Sequence, residues 1–282
     1  MAEIISGKII SASVKERIAA EVSELKSKGV VPGLAVIIVG TDPASQVYVG
    51  SKERTCIELG MYSEKYELPE ETTNEELLAL IDRLNHDDKI HGILCQLPLP
   101  KHLDEKAVID SIVPEKDVDA FHVQNVGKIM IGNYDFLPCT PAGIMEMLNY
   151  SGINPKGKHC VVIGRSNIVG KPMVMLMLHA DATVTICHSK TQNLKEICRE
   201  ADILIASVGR PKFVTADMVK PGAVVIDVGI NRDENGKLCG DVDFSAVEPL
   251  CSAITPVPGG VGPMTIAMLM QNTLTSAKRS IK

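Results

Sequence analysis

The stretch HCVVIGRSNIVGKPMVMLMLHADATVTIC, His159 to Cys187, decides the fold. HCVVIG is an apolar run of strand length closed by a glycine, and helical spacing begins at Gly170 after the turn GRSNIVGKP. ATVTIC follows as a second short apolar run. Strand, turn, helix and strand in that order form a βαβ unit, which requires a parallel sheet carrying a helix on its face. The series continues through a helix after Thr191 and the strands DILIASVG (Asp202–Gly209) and AVVIDVGI (Ala223–Ile230).

Upstream the same alternation recurs. Ser11 to Lys28 reads as an amphipathic helix with Val14, Ile18, Val22 and Leu25 on one stripe. GLAVIIVG (Gly33–Gly40) is a buried strand, and Asp42-Pro43 supplies an N-cap and first-turn proline to a helix reaching about Gly60. A helix over Asn74–Leu84 precedes IHGILCQLPLP (Ile90–Pro100), a strand stopped by two prolines. A polar stretch, Val113 to Phe136, leads to a helix starting near Pro141 and ending on Gly152. The chain closes with PGGVGPMT (Pro258–Thr265) and a helix from Pro263 to about Lys278, striped by Ile266, Leu269, Met270, Thr273 and Leu274.

The expected fold is therefore α/β, with two α/β domains around a cleft, the second Rossmann-like. Residues 1–139, completed by a returning C-terminal helix at 264–282, form the first domain, and residues 140–263 the second. A length of 282 residues fits two domains. The composition agrees: 45% hydrophobic residues but 3% aromatics and no Trp leave a core of aliphatic residues, as parallel strands under helices require.

A net charge of −6 disfavours a nucleic-acid partner. No apolar run approaches the roughly 20 residues that span a bilayer, and the N-terminus lacks a signal-peptide pattern, so a soluble cytoplasmic protein with no membrane association is expected. Eight scattered cysteines with no C-x-x-C pair are expected to stay reduced, and the histidines form no metal-binding cluster, so no metal is expected.

The turn VVIGRSNIVGKP (Val161–Pro172) does not have G-x-G-x-x-G spacing, yet the physics of a nucleotide turn survives. Gly164 permits a tight turn off the strand, and Gly170 permits close packing, or close approach of a phosphate to a helix N-terminus. An ordinary strand-to-helix connection would look the same. The next strand end discriminates: NAD enzymes carry an Asp or Glu there for the ribose hydroxyls. Here Cys187-His188-Ser189-Lys190 offers none, and Arg165 lies in the turn. A cationic, hydroxyl-bearing surrounding suits the adenosine 2′-phosphate, so NADP is favoured over NAD, with Arg165 and Ser189 as its contacts. SVGRP (Ser207–Pro211) and DVGIN (Asp227–Asn231) place further glycines at the carboxyl edge of the sheet, where ligands of such sheets bind.

The reacting groups are sought on the first domain. Tyr48 and Lys52 are four apart and share a helical face beside the apolar Val49 and Cys56. A helix lysine is commonly a solvated charge, but one at an apolar edge has a lowered pKa and can exchange protons near neutrality. Tyr48 offers a face on which a planar heterocycle stacks. Gln96 stands near the end of an apolar strand, and its amide must pair with Lys52, with substrate or with the local structure. Asp119, in KDVDAFH (Lys116–His122), can accept two parallel hydrogen bonds from a 2-aminopyrimidinone edge, although loop aspartates also serve as caps.

Taken in order, YVGSK (Tyr48–Lys52), QLPLP (Gln96–Pro100), KDVDAFH, PCTPAG (Pro138–Gly143), GRSNIVGKP, CHSKT (Cys187–Thr191), DVGIN, GDVDF (Gly240–Phe244) and PGGVGPMT resemble the bifunctional methylenetetrahydrofolate dehydrogenase/cyclohydrolase family along the whole chain. The resemblance implies NADP-dependent oxidation of 5,10-methylenetetrahydrofolate and hydrolysis of the methenyl product to 10-formyltetrahydrofolate, in one-carbon metabolism and purine biosynthesis. It implies Lys52 as the proton-handling residue, Tyr48 stacking near the folate, Gln96 tuning the lysine and Asp119 binding the pterin. Gly164, Arg165, Ser166, Ser189, Ile230 and Thr265 would hold NADP, and Pro258, Gly259 and Gly260 would contact the tetrahydrofolate derivative. A homodimer through the nucleotide domain is also implied. One departure stands out: Ala120 occupies a position where the family usually has Gly, and a methyl there could shift the Asp119 loop slightly. A monofunctional enzyme on this scaffold, a dehydrogenase of a small hydroxy acid such as shikimate, and a non-catalytic NADP-binding module are the competing readings; the last two leave the Tyr48/Lys52 pair without a purpose.

Overall fold

The computed structural model describes residues 2–281; the terminal residues of the expected 1–139 and 264–282 segments, Met1 and Lys282, lie outside the described residues. In chain order the elements are β1 (Glu3–Ile4), α1 (Gly7–Ser27), β2 (Gly33–Val39), α2 (Pro43–Glu58), β3 (Tyr62–Leu68), α3 (Asn74–Asn85), β4 (Gly92–Cys95), α4 (Glu105–Ser111), α5 (Val123–Met130) and α6 (Cys139–Tyr150). There follow β5 (His159–Ile163), α7 (Gly170–His179), β6 (Thr183–Cys187), α8 (Leu194–Cys198), β7 (Ile203–Ala206), β8 (Val224–Asp227), β9 (Asn231–Arg232), β10 (Leu238–Cys239), α9 (Phe244–Val247), β11 (Ala253–Ile254) and α10 (Val261–Arg279).

Two compact units result: Met1–Ala12 with Thr140–Thr265, and Ser13–Cys139 with Ile266–Lys282. The first of these corrects the expected 1–139 boundary at the N-terminus. Glu3 and Ile4 pair in parallel with Ala253 and Ile254, which recruits the start of the chain to the sheet of the second half. Helix α1 also begins at Gly7 rather than Ser11, because the Lys8 amide donates to the carbonyl of Gly259, a partner invisible to local periodicity.

The unit containing Thr140–Thr265 holds a six-stranded parallel sheet of order β1-β11-β8-β7-β5-β6. From β5 the chain moves outward to β6 and then crosses back to β7 on the other side. This is a topological switch point, where ligands bind at the carboxyl ends of the strands. Its core packs Val161, Ile163, Leu204, Ala206 and Val225 against Met218, Val247 and Ile254, all buried.

The unit built on Ser13–Cys139 carries a three-stranded parallel sheet, β3-β2-β4. Every residue of β2 is buried, and Ala35, Ile37 and Val39 pack on Leu77, Ile81 and Leu84 of α3. The α1 stripe Val14, Ile18, Val22 and Leu25 is buried, as are Leu269, Met270, Thr273 and Leu274 of α10, while Ile266 is only half-buried. Helix α3 is closed by a capping box between Thr73 and Glu76. Strand β4 stops at Cys95 and not at the prolines, so Gln96 stands just beyond the strand and still donates its amide N–H to the Ile37 carbonyl at 2.8 Å.

Candidate active site

Helix α2 carries the first cluster. The Asp42 carboxylate accepts from Ser45 N at 2.8 Å and Pro43 occupies the first turn, which fixes where the helix starts. Val49 and Cys56 are buried on its inner stripe, and the i, i+4 spacing puts Tyr48 and Lys52 beside them. Lys52 is only 8% exposed. Its Nζ donates to Gln96 Oε1 at 2.8 Å, and Gln96 Nε2 donates to the Leu97 carbonyl at 2.6 Å, which orients the amide. The helix lysine and the residue just past β4 are thus joined by one bond, although 44 residues separate them.

Asp119 arrives from a loop bound to the free edge of β4. Ile93 N donates to the Lys116 carbonyl at 2.8 Å and Ile93 forms a parallel bridge with Asp117. The buried Asp117 carboxylate accepts from His122 N and Asn125 Nδ2, both at 2.8 Å, and holds the loop closed. Asn272 of α10 donates to the Val118 carbonyl at 2.8 Å, and Cys139 Sγ lies 3.5 Å from Asp119 Oδ1. Ala120 has φ +58° and is fully buried, which places an alanine in the left-handed region where a glycine is free of strain. The backbone accordingly keeps the glycine-type conformation, and the methyl is accommodated in the core.

The electrostatics of this cluster are coupled. Burial pulls the Lys52 ammonium below the usual lysine range, opposed by the charge of Asp119. Burial pushes the Asp119 carboxyl up, and the nearby Lys52 charge draws it back. Burial likewise raises the Tyr48 phenol. Desolvation loosens the hold of Lys52 on its proton, and the hydrogen bond to Gln96 works the other way.

The second cluster lies at the carboxyl ends of β5, β6 and β7. Ile163, Gly164, Arg165, His188, Ser189, Thr191, Ser207 and Arg210 line an open depression of about 470 Å³. Gly164 has φ +127°, and a Cβ there would sit 2.3 Å from the Ser207 carbonyl oxygen. A Cβ on Gly170 would sit 2.2 Å from the Gly164 carbonyl oxygen, so α7 starts directly against the turn. Both glycines are required by close backbone approach. Ser166 Oγ accepts from Val169 N at 3.1 Å and Gly170 N at 3.3 Å, so this hydroxyl closes the turn at the start of α7.

Arg165 and Ser189 are therefore brought together on one depression, with no carboxylate in its lining. The other expected cofactor and substrate residues stand elsewhere in the same unit. Ile230 is 48% exposed after β8, with its Cδ1 3.6 Å from a Cβ built on Gly262. Thr265 Oγ1 is 2.9 Å from Thr140 Oγ1. Pro258 is exposed, whereas Gly260 is buried, its carbonyl oxygen so near Gly7 that a Cβ there would sit 1.7 Å away.

Sequence reasoning missed two carboxylates that shape the strand-end loops. Asp227 accepts from the amides of Gly229, Asp241 and Val242, each at 2.9 Å, and burial pushes its pKa up to about 6. Asp241 accepts from Val208 N, Gly209 N, Arg210 N and Asn231 Nδ2. The only signal for them in the sequence is an acidic residue inside each of DVGIN and GDVDF. Arg210, Ser207, His188 and Thr191 were likewise unassigned, though all stand at strand ends flagged by glycine or by the missing acid.

A switch-point depression lined by two arginines and no carboxylate, and a buried lysine bonded to a glutamine beside a second parallel sheet, fit an α/β oxidoreductase. The family models agree. That of the tetrahydrofolate dehydrogenase/cyclohydrolase catalytic domain matches residues 5–119, and that of the NAD(P)-binding domain matches residues 138–281. The chain belongs to the tetrahydrofolate dehydrogenase/cyclohydrolase family. It is 62% identical to the bifunctional protein FolD of Acetivibrio thermocellus, over 100% of this chain and 99% of that protein. The crystal structure of the bifunctional enzyme FolD from Campylobacter jejuni superposes with a TM-score of 0.97 at 52% identity, covering 99% and 100% of the two chains. The Trypanosoma brucei enzyme, in complex with NADP cofactor and inhibitor, gives 0.96 at 40% identity over 100% and 99%.

Proposed function

We propose that Lys52 is the proton-transfer group of the hydrolysis, with Gln96 setting its proton affinity, Tyr48 stacking beside the folate and Asp119 binding the pterin edge. The enzyme oxidises 5,10-methylenetetrahydrofolate with NADP and hydrolyses the resulting 5,10-methenyltetrahydrofolate to 10-formyltetrahydrofolate. The observation that carries the residue assignment is the 2.8 Å bond from the buried Lys52 Nζ to Gln96 Oε1, in the field of Asp119.

NADP, when bound, supplies the hydride acceptor. The fit of the chain to that cofactor is supported by the side-chain-free approach at Gly164 and Gly170 and by Arg165 and Ser189 on a depression without a carboxylate. Those two hold the 2′-phosphate. Gly164 and Ser166 shape the turn that receives the phosphates, and Ile230 and Thr265 flank the nicotinamide. Pro258, Gly259 and Gly260 contact the folate. In the hydrolysis, the neutral Lys52 amine takes a proton from water as the oxygen bonds to the methenyl carbon. The ammonium then gives that proton to N5 as the carbon–N5 bond breaks, the hydroxyl proton leaves to solvent, and one proton is released overall.

The enzyme works as a homodimer through its nucleotide unit, supported by β6, an edge strand of that sheet, with Ile186 38% exposed. A cytoplasmic setting in purine biosynthesis is supported by eight free cysteines, seven of them buried, and by a formylated product. No helix among the described residues is long and apolar enough to cross a membrane.

Absorbance of the methenyl product, followed with NADP or NAD in wild type and Lys52→Met, tests the reading. NADP-dependent formation followed by catalysed decay, with the decay lost in the variant, is expected. Catalysed decay that persists in Lys52→Met would remove Lys52 from the role.

A further inference from the structure

We propose that Arg210 is a specificity-determining residue of the nucleotide depression, its guanidinium joining Arg165 in holding the phosphate that distinguishes NADP from NAD. The inference rests on the reading that this depression takes the adenosine end of NADP.

Three features place Arg210 there. It follows β7, directly across the switch point from Arg165 after β5, and both line the same depression. Its backbone is fixed: Val208, Gly209 and Arg210 donate their N–H groups to the single fully buried carboxylate of Asp241, at 2.6, 3.1 and 2.8 Å. A loop whose amides converge on one desolvated anion does not wander, so the side chain leaves from a set position. Its guanidinium lies over the Phe213 ring, 5.0 Å from the centroid, and Phe213 also lines the depression. The ring covers one face of the plane and leaves the N–H edge and the other face for a ligand.

Charge then selects the ligand. Neither Arg165 nor Arg210 has a carboxylate partner among the described residues, and the lining contains none. Two like charges held over one depression repel, and a dianion relieves both. A phosphate monoester carries about −1.5 to −2 charges at pH 7 and three acceptor oxygens, more than one guanidinium and one serine hydroxyl satisfy. His188 adds a donor: its Nδ1 accepts from Lys190 N at 3.1 Å, which leaves Nε2 to donate. The ribose 2′,3′-diol of NAD is uncharged and gains nothing from a second cation.

The test is calorimetric titration of the full-length protein with adenosine 2′,5′-bisphosphate and with adenosine 5′-monophosphate, for wild type, Arg210→Gln and Arg210→Lys. Loss of one charge-assisted phosphate contact at a solvent-open site weakens the bisphosphate by about tenfold. The monophosphate should stay within about twofold, since it lacks the phosphate that Arg210 reads. Lysine keeps the charge but not the planar fork and recovers part of the loss. An unchanged ratio of the two affinities in Arg210→Gln overturns the proposal, as do equal losses for both probes, which would put Arg210 on the 5′-phosphate or the adenosine. A wild type that binds the two probes alike would sink the NADP reading of the depression itself, and is thereby told apart from failure of Arg210 alone.

Discussion

Replacing Gln96 changes the proton affinity of Lys52 in a direction and by an amount that the geometry fixes. The amide oxygen accepts from Nζ at 2.8 Å and therefore favours the ammonium. A hydrogen bond to a charged group contributes about 1.5–3 kcal/mol and a neutral one about 0.5–1.5 kcal/mol, so the bond favours the charged form by about 1–1.5 kcal/mol. At 1.36 kcal/mol per pKa unit, Gln96→Met lowers the Lys52 pKa by about one unit. Gln96→Glu acts in the opposite direction, since a carboxylate at that distance stabilises the ammonium more than an amide does. Burial already holds Lys52 below the ordinary lysine value, which moves the transition towards the range where folate is handled.

The assay is decay of methenyltetrahydrofolate absorbance against pH, with the uncatalysed rate subtracted. If the neutral amine is the base, activity rises with pH through the Lys52 pKa. The rising limb then moves about one unit down in Gln96→Met and moves up in Gln96→Glu. Two limbs that shift the same way, or that stay on the wild-type curve, would refute the argument and leave Gln96 a purely structural residue.

Two further outcomes follow from burial and packing. Lys52→Met is expected to unfold at higher temperature than wild type at pH 7 while losing activity. The folded state holds the Lys52 proton less tightly than the unfolded chain, so the unfolded state binds more protons between the two pKa values and stability rises with pH in that window. The advantage of the variant therefore shrinks as pH approaches the unfolded value of about 10.4, and thermal melts at pH 7 and pH 9.5 check it. Gly170→Ala would bring a Cβ to 2.2 Å from the Gly164 carbonyl oxygen and 2.9 Å from Arg165 Cα, both backbone atoms that must retreat. Overpacking of this kind costs about 1–3 kcal/mol; a melting point lowered by several degrees with weaker NADP binding is expected, and an unchanged melt would mean the turn is looser than drawn.

How much is legible in the sequence follows the range of the interactions. The strands β2, β5, β7 and β8 are short apolar runs because both faces are buried, and that reads directly from sequence. Asp42-Pro43 announces α2, and the four-residue spacing of Tyr48 and Lys52 is enough to put them on one face. Strand β3 gives no such signal: YSEKYEL pairs with β2 alone at the border of its sheet, so it is half-exposed and carries no apolar run. The short helices α4 and α5 lie in or beside a stretch that reads as polar loop, and each is too short for periodicity to show. By itself the sequence settled the α/β class, the alternation of elements and the residue types around Lys52 and at the strand-end turn of Gly164, since these depend on composition and spacing within a few turns of chain. Only the tertiary structure decided that Glu3–Ile4 joins the sheet of the other half, that Gln96 meets Lys52, and that Asp241 gathers the amides around Arg210. Each of these joins groups tens to hundreds of residues apart, and such a contact exists only once the intervening chain has folded.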